Sequence, residues 1–162
     1  MSKSTMQRRR EEDEDEPEFK GKFYTNFIRD HEKPWCWLCG RADGDRPPAW
    51  WLAPNPLDPA HIAAGQGTAR RVEDTRAVNI LCRAHHSLHQ HHDGPPRKIN
   101  NVLLPVITNG MMLWLKAERD PNIFNASFLE VIWVGPLPLA VPPPQVYLEE
   151  YERMRVKSWR PR

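Results

Sequence analysis

The stretch Ala77-Val78-Asn79-Ile80-Leu81-Cys82-Arg83-Ala84-His85-His86-Ser87-Leu88-His89 decides the fold. Its first part is apolar and β-prone, which predicts a short strand over residues 77–81. Residues 82–90 contain no Gly or Pro, and Asp93-Gly94-Pro95-Pro96 follows, so we predict a helix that ends before these breakers. An earlier strand is predicted over residues 57–63. The expected local order is therefore strand, loop, strand, helix.

The three cysteines favour metal binding over disulfide bonds. Their odd count does not close a disulfide framework, and two of them have the spacing of a metal-binding pair. Cys36 and Cys39 form a Cys-x-x-Cys pair in a Pro-rich, Trp-rich stretch that excludes a long helix, so the pair is expected on a turn. Cys82 and His85 form a second pair, and the two pairs complete a tetrahedral site for a structural Zn²⁺. The adjacent His86 could take the place of His85 as the fourth ligand, since the spacing alone does not show which of the two histidines faces the ion.

Composition limits the class of protein. The chain has 162 residues, 40% of them hydrophobic, and seven Trp, which suits one packed domain with appended segments. It has no apolar run of bilayer length and a charged N-terminal stretch, so we expect a soluble, cytoplasmic protein without a membrane partner. The net charge is +2, but basic residues outnumber acidic ones between residues 61 and 98. That segment suits contact with a polyanion such as a nucleic acid, although a modest basic excess is equally typical of a solvated face.

Taken together, the motifs resemble the HNH endonuclease family, whose core is the ββα-metal, or His-Me finger, motif. The resemblance spans roughly residues 35–93 and rests on Cys36-x-x-Cys39, Ala60-His61-Ile62, the glycine loop at Gly65 and Gly67, and Leu81-Cys82-Arg83-Ala84-His85-His86. It implies an α+β fold with a zinc-held ββα core, to which C-terminal helices and Pro-rich extended segments are added.

The resemblance also implies an activity, the metal-dependent cleavage or nicking of DNA to 5′-phosphate and 3′-hydroxyl ends. His61 matches the general base, and a neutral imidazole can take a proton from water near neutral pH. His86 matches the ligand of a catalytic Mg²⁺ or Mn²⁺, which can neutralise the departing oxygen. Candidate phosphate contacts are Arg70, Arg71, Arg76, Arg83 and Arg97.

Three further residues are weaker candidates. Asn79 either orients His61 or is an ordinary strand residue, and it lies three positions before Cys82 where the family's Asn lies about five before. His89 is a second ion ligand, a phosphate contact or a bystander. Asp58 is a substitute ligand, because Ala60 occupies the position at which family members often carry an acid or a histidine.

Ala60 also favours an alternative, a non-catalytic zinc-stabilised module that binds nucleic acid or acts as an adaptor. We divide the chain into a disordered charged arm (1–20), the zinc-stabilised nuclease domain (21–98), a helical, apolar packing extension (99–135), and a Pro-rich spacer with an amphipathic helix (136–162). The last segment is a candidate site for a protein partner, which gives a third interpretation, a scaffold for protein binding.

Overall fold

The computed structural model describes residues 22–63 and 73–158. Within these ranges the chain is of mixed α+β class, with five helices and two small antiparallel sheets. The helices are α1 (22–30), α2 (Arg83–His89), α3 (Asn109–Arg119), α4 (Ala126–Ile132) and α5 (Gln145–Ser158). The strands are β1 (Leu57–His61), β2 (Val78–Cys82), β3 (Arg97–Ile99) and β4 (Val102–Leu104). The predicted arm of residues 1–20, the glycine loop at Gly65 and Gly67, and Arg70 and Arg71 lie outside the described residues.

The hairpin of β1 and β2 is the centre of the fold, and it confirms the predicted order of strand, strand and helix. The strands pair antiparallel, with Leu57 opposite Cys82 and His61 opposite Val78. All five residues of β2 are buried, as expected for an apolar strand covered on both faces. The helix α2 begins directly after β2, so the end of the strand and the first turn of the helix are adjacent in space.

The start of α2 is capped from a distance. Cys82 occupies the N-cap position but makes no side-chain cap hydrogen bond. Asn55 supplies the acceptor instead, since its Oδ1 lies 2.8 Å from the backbone nitrogen of Ala84. An exposed N–H at a helix start normally needs such a partner. Asn55 therefore caps the helix in place of Cys82, and the Cys82 sulfur is available for the metal cluster.

The C-terminal helices follow the sequence patterns. Thr108 caps α3 through Met111 N, and Asn125 caps α4 through Phe128 N. Met111, Trp114 and Leu115 form an apolar stripe at helical spacing, and α3 ends before Asp120 as this stripe and the following Pro121 predict. The apolar segment of residues 127–134, whose sequence is compatible with helix or strand, contains most of α4. Its C-terminal neighbour, the Pro-rich stretch, leads into α5. None of the helices in the described part of the chain is long and apolar enough to cross a bilayer.

Two elements were not predicted from the sequence. Helix α1 precedes the metal-binding turn, and the hairpin of β3 and β4 follows α2. The hairpin turns at Asn100 and Asn101, which have φ values of 49° and 67° and so suit a tight two-residue turn. Because β3 spans residues 97–99, the predicted boundary at 98/99 falls inside a strand.

Candidate functional site

The strongest site is a buried cluster of three cysteines and one histidine. The ligand atoms of Cys36, Cys39, Cys82 and His85 all lie within 4.8 Å of one another, and all four residues are buried. The three cysteines are free thiols. The predicted set is therefore brought together and could hold a metal ion such as zinc.

The distances within the cluster fit a tetrahedral ion. Cys39 Sγ lies 3.8 Å from Cys82 Sγ, and Cys82 Sγ lies 3.1 Å from His85 Nδ1. Zinc–sulfur bonds of about 2.3 Å at tetrahedral angles separate two sulfurs by about 3.8 Å. His85 presents Nδ1 to the sulfurs, so this nitrogen would be the ligand. The donor set and its spacing thus match a four-coordinate zinc site.

Electrostatics also favour a cation here. Burial lowers the pKa of His85, but the charges and hydrogen bonds of the neighbouring cysteines, above all Cys39, outweigh burial and raise the pKa well above its ordinary value. A site that draws positive charge despite complete burial suits a divalent ion. The rings of Trp50 and Tyr147 each pack edge-on against His85, with centroids 5.4 Å away, and shield the cluster from water.

The two halves of the cluster are held by backbone contacts. The turn that carries Cys36 and Cys39 closes through Gly40 N to Cys36 O (2.8 Å) and Cys36 N to Arg41 O (2.8 Å). Trp37 N then donates to Ile80 O at 2.9 Å, which attaches this turn to β2. The turn is thereby held beside Cys82, the last residue of the same strand.

Arg41 is a functional residue that the sequence did not indicate. Its guanidinium bonds to the carbonyl of Arg46 at 2.8 Å and pairs with Glu150 of α5. Burial lowers the pKa of Arg41, but the charge and hydrogen bond of Cys39, together with Glu150, raise it above its usual value. A bound Cys₃His zinc would carry a net negative charge, which this guanidinium balances.

A second cluster joins β1 to the first turn of α2. Asp58 Oδ2 lies 3.2 Å from His86 Nδ1, and Asp58 Oδ1 accepts a hydrogen bond from Arg83 at 3.1 Å. Burial raises the pKa of Asp58, but the hydrogen bonds from His86 and Arg83 outweigh it and hold the pKa below its usual value. The two histidines thus take separate places, His85 among the cysteines and His86 beside Asp58.

His61 lies at the end of β1 and contacts α1. Its Nε2 is 2.9 Å from the hydroxyl oxygen of Tyr24, and the two rings meet edge-on at 5.5 Å. Successive side chains on a strand point to opposite faces. Asp58 and Ala60 therefore share one face of β1, and His61 lies on the other.

The structure corrects two of the weaker candidates. Asn79 is fully buried, and its amide donates to the carbonyl of Met112 at 2.9 Å, so it fastens α3 to β2 and does not orient His61. His89 has Nδ1 3.0 Å from Ile107 O and Nε2 3.0 Å from His61 O. Both nitrogens face backbone carbonyls, and the one that carries the proton donates a hydrogen bond. His89 therefore links α2 to its neighbours and is not among the four residues of the metal cluster.

The arginines proposed for phosphate contact differ in their surroundings. Arg76 pairs with Asp74 at 2.7 Å and stacks over the Phe128 ring at 3.6 Å, a structural role at the start of β2. Arg83 pairs with Asp58 but keeps about half of its side-chain surface exposed, at 52%. Arg97 is exposed on β3. Arg83 and Arg97 therefore remain the described candidates.

A buried ionic network behind β2 was also missed. Lys116 Nζ bonds to Thr75 O (2.6 Å), Val78 O (2.8 Å) and Asp120 Oδ2 (2.7 Å), while His31 Nε2 lies 3.1 Å from the other carboxylate oxygen of Asp120. This network connects α1, α3 and the start of β2. Its members are distant in the chain except for Lys116 and Asp120, whose i, i+4 spacing was the single available signal.

Comparison with known proteins adds no relative. No family model, no curated protein and no solved structure matches the chain. The assignment of a function therefore rests on the residues and distances given above.

Proposed function

We propose that the chain is a metal-dependent DNA endonuclease of the HNH type, with zinc as the structural ion of its ββα core. The observation that carries the proposal is the contact of Asp58 with His86, 3.2 Å apart, because Asp58 shares β1 with His61 and His86 lies in the first turn of α2. The carboxylate oxygen suits Mg²⁺ or Mn²⁺, and the imidazole nitrogen would be a second ligand of the same ion. The Cys₃His cluster would hold β2 and α2 in the arrangement that keeps this pair together.

The placement of His61 suits an in-line displacement. In such a reaction the attacking and leaving oxygens lie on opposite sides of phosphorus, so the base and the ion flank the phosphate. Asp58 and His61 belong to the same strand, three residues and about 10 Å apart at roughly 3.4 Å per residue. A phosphodiester bound across β1 would lie between the His61 imidazole and an ion held by the Asp58–His86 pair.

The substitution at Ala60 has a structural counterpart. Ala60 is fully buried, so this position offers no oxygen to an ion. Asp58 lies two residues earlier on the same face, and it provides the carboxylate that Ala60 lacks. Arg83 is bonded to that carboxylate and could move to a phosphate oxygen when an ion binds Asp58.

Each residue then has one task. His61 accepts the proton of the attacking water, and Arg83 and Arg97 neutralise phosphates in a salt-dependent manner. An ion held by Asp58 and His86 would supply charge neutralisation at the departing 3′-oxygen. Burial of Ala60 and Ile62 keeps the hairpin rigid beneath the substrate.

A plasmid-nicking assay with Mg²⁺ or Mn²⁺ tests this function. We expect His61→Ala to lose at least about 100-fold in rate, the lower end of general-base catalysis. Asp58→Asn and His86→Ala should raise the ion concentration needed for half-maximal rate, while all three variants keep their zinc. The exposed His91 gives a matched control, His91→Ala, which should behave as wild type.

The same assay distinguishes the nuclease from the alternative interpretation, a zinc-stabilised module that binds nucleic acid without cleaving it. That interpretation is favoured by the Arg83–Asp58 pair, since an arginine already occupies the proposed ligand. Nicking that is equal in wild type and His61→Ala would refute His61 as the general base. No nicking by either protein while DNA is still bound would refute the nuclease and support the module.

A further inference from the structure

Tyr24 holds His61, the proposed general base, in place, and no sequence pattern indicates this contact. Tyr24 lies on α1, thirty-seven positions before His61, and its hydroxyl is 2.9 Å from His61 Nε2. The two rings also meet nearly perpendicular, at 81°, with centroids 5.5 Å apart. A hydrogen bond and an edge contact together restrict the rotation of the imidazole about its χ2 torsion.

The helix that carries Tyr24 is itself anchored to the core. Phe27 packs edge-on against Trp37 at 6.4 Å, and the Lys116 ammonium lies 5.4 Å from the Phe27 ring. His31, just after α1, meets the buried carboxylate of Asp120 at 3.1 Å. These contacts tie α1 to the turn beside β2 and to α3, so the position of Tyr24 relative to the hairpin is determined by packed groups.

We propose that Tyr24 is the positioning residue of His61: the hydrogen bond between its hydroxyl and Nε2 holds the imidazole in one ring orientation and one tautomer. This inference rests on the proposed function, in which His61 takes a proton from water. A neutral imidazole carries one proton, and the nitrogen that bears it is set by the hydrogen-bond partners of the two nitrogens. Loss of the hydroxyl would let the ring rotate and exchange tautomers.

Two observations support this role. Tyr24 remains a neutral hydroxyl in the working pH range, because burial and the nearby charge of Glu73 raise its pKa to about 12. Asn79, which the family resemblance offers for the same task, is committed to Met112 and lies on the opposite face of the hairpin from His61. In this chain the orienting group therefore comes from a separate helix.

Tyr24→Phe is the variant that tests the inference, because it keeps the ring and removes only the hydroxyl. We expect kcat for nicking to fall about tenfold, a part of the 100- to 10,000-fold that a complete general base provides, with KM for DNA unchanged. In the His61→Ala background the same change should have no further effect on the rate. Tyr151→Phe is the matched control, since it removes another tyrosine hydroxyl, one that accepts from Trp35 at 3.2 Å away from β1.

Imidazole nitrogen NMR provides a readout that does not depend on activity. We expect His61 to have one dominant tautomer, the same in the zinc-loaded wild type and in Tyr151→Phe, and a mixture of tautomers in Tyr24→Phe. An unchanged tautomer together with an unchanged kcat would overturn the inference. If instead the tautomer shifts but His61→Ala still nicks, Tyr24 positions His61 and the proposed nuclease mechanism is what fails.

Discussion

Gly40 lies so close to α5 that a Cβ atom there would come within 2.9 Å of the carbonyl oxygen of Tyr151. Gly40 follows the second ligand of the Cys36–Cys39 turn and has a φ of 78°. Arg155 of α5 bonds to the Gly40 carbonyl and stacks on Trp35, with its Cζ 4.3 Å from the ring centroid. The C-terminal helix therefore packs directly on the metal-binding turn. We expect a change that unfolds one of them to unfold the other.

Gly40→Ala should consequently destabilise the protein by more than strain alone. Gly44 gives the control, since its φ is 84° but a Cβ there would have nothing within 4 Å. Gly44→Ala should cost about 1–2 kcal/mol of unfolding free energy, from left-handed backbone alone. Gly40→Ala should cost about 1–3 kcal/mol more, because α5 must move. Urea unfolding measures both, and equal losses would show that α5 does not press on Gly40.

Loss of a cysteine ligand should release the metal and weaken the fold. We expect Cys36→Ser and Cys82→Ser to abolish stoichiometric zinc binding and to lower Tm by at least about 10 °C, since a structural zinc contributes several kcal/mol to folding. Zinc content and thermal unfolding are the measurements. Ser87→Ala, on α2 but outside the cluster, should change neither. Retention of full zinc content and Tm by the cysteine variants would contradict the assignment of the cluster.

The buried network of Lys116 and Asp120 should be sensitive to the removal of either partner. Lys116 is fully buried, so Lys116→Met or Asp120→Asn leaves the other group without its ionic partner. Each should lower the free energy of unfolding by about 3–5 kcal/mol. Lys98→Met on the exposed strand β3 is the control and should have almost no effect. The double variant Lys116→Met/Asp120→Asn should lose less than the two single losses combined, and strict additivity would argue against the pairing.

We expect the free energy of unfolding to fall in mild acid because of the buried His89. Burial lowers its pKa to about 4, below the value of about 6.5 of an unperturbed histidine. Between these two pH values the unfolded chain binds more protons than the folded chain, so stability falls as pH decreases through this window. At pH 5 this contribution amounts to about 2 kcal/mol relative to pH 7.

The measurement is chemical unfolding at pH 7 and pH 5. His89→Gln should reduce the difference between the two pH values, because the titrating group is gone, while the exposed His91→Gln should leave the difference as in wild type. If His89→Gln has the same pH dependence as wild type, His89 is already charged in the fold.

Local patterns were sufficient for most elements. The apolar run before Cys82 and the uninterrupted residues after it predicted β2 and α2, and the stripe of Met111, Trp114 and Leu115 predicted α3. These elements are set by side-chain periodicity and by the breakers at their ends, which the sequence displays directly. The hairpin of β3 and β4 was missed because three-residue strands carry too few positions for a period to be recognised.

The residues of the candidate site divide in the same way. The spacing of Cys36 with Cys39 and of Cys82 with His85 determined the metal cluster, because each pair is local and zinc accepts few donor types. The roles of the remaining histidines depended on which side chains lie opposite them in space. Their partners, Asp58 for His86 and Tyr24 for His61, are distant in the chain.

By itself, then, the sequence determined the strand–strand–helix order and the four residues that could hold zinc, since both depend on neighbours within a few positions. Only the tertiary structure decided that Asn79 and His89 hydrogen-bond to backbone carbonyls of distant segments. It also decided that Asp58 contacts His86 and that α5 covers the metal-binding turn. Those assignments depend on hydrogen bonds and packing between distant segments, and no local sequence pattern shows which buried donor will meet which acceptor.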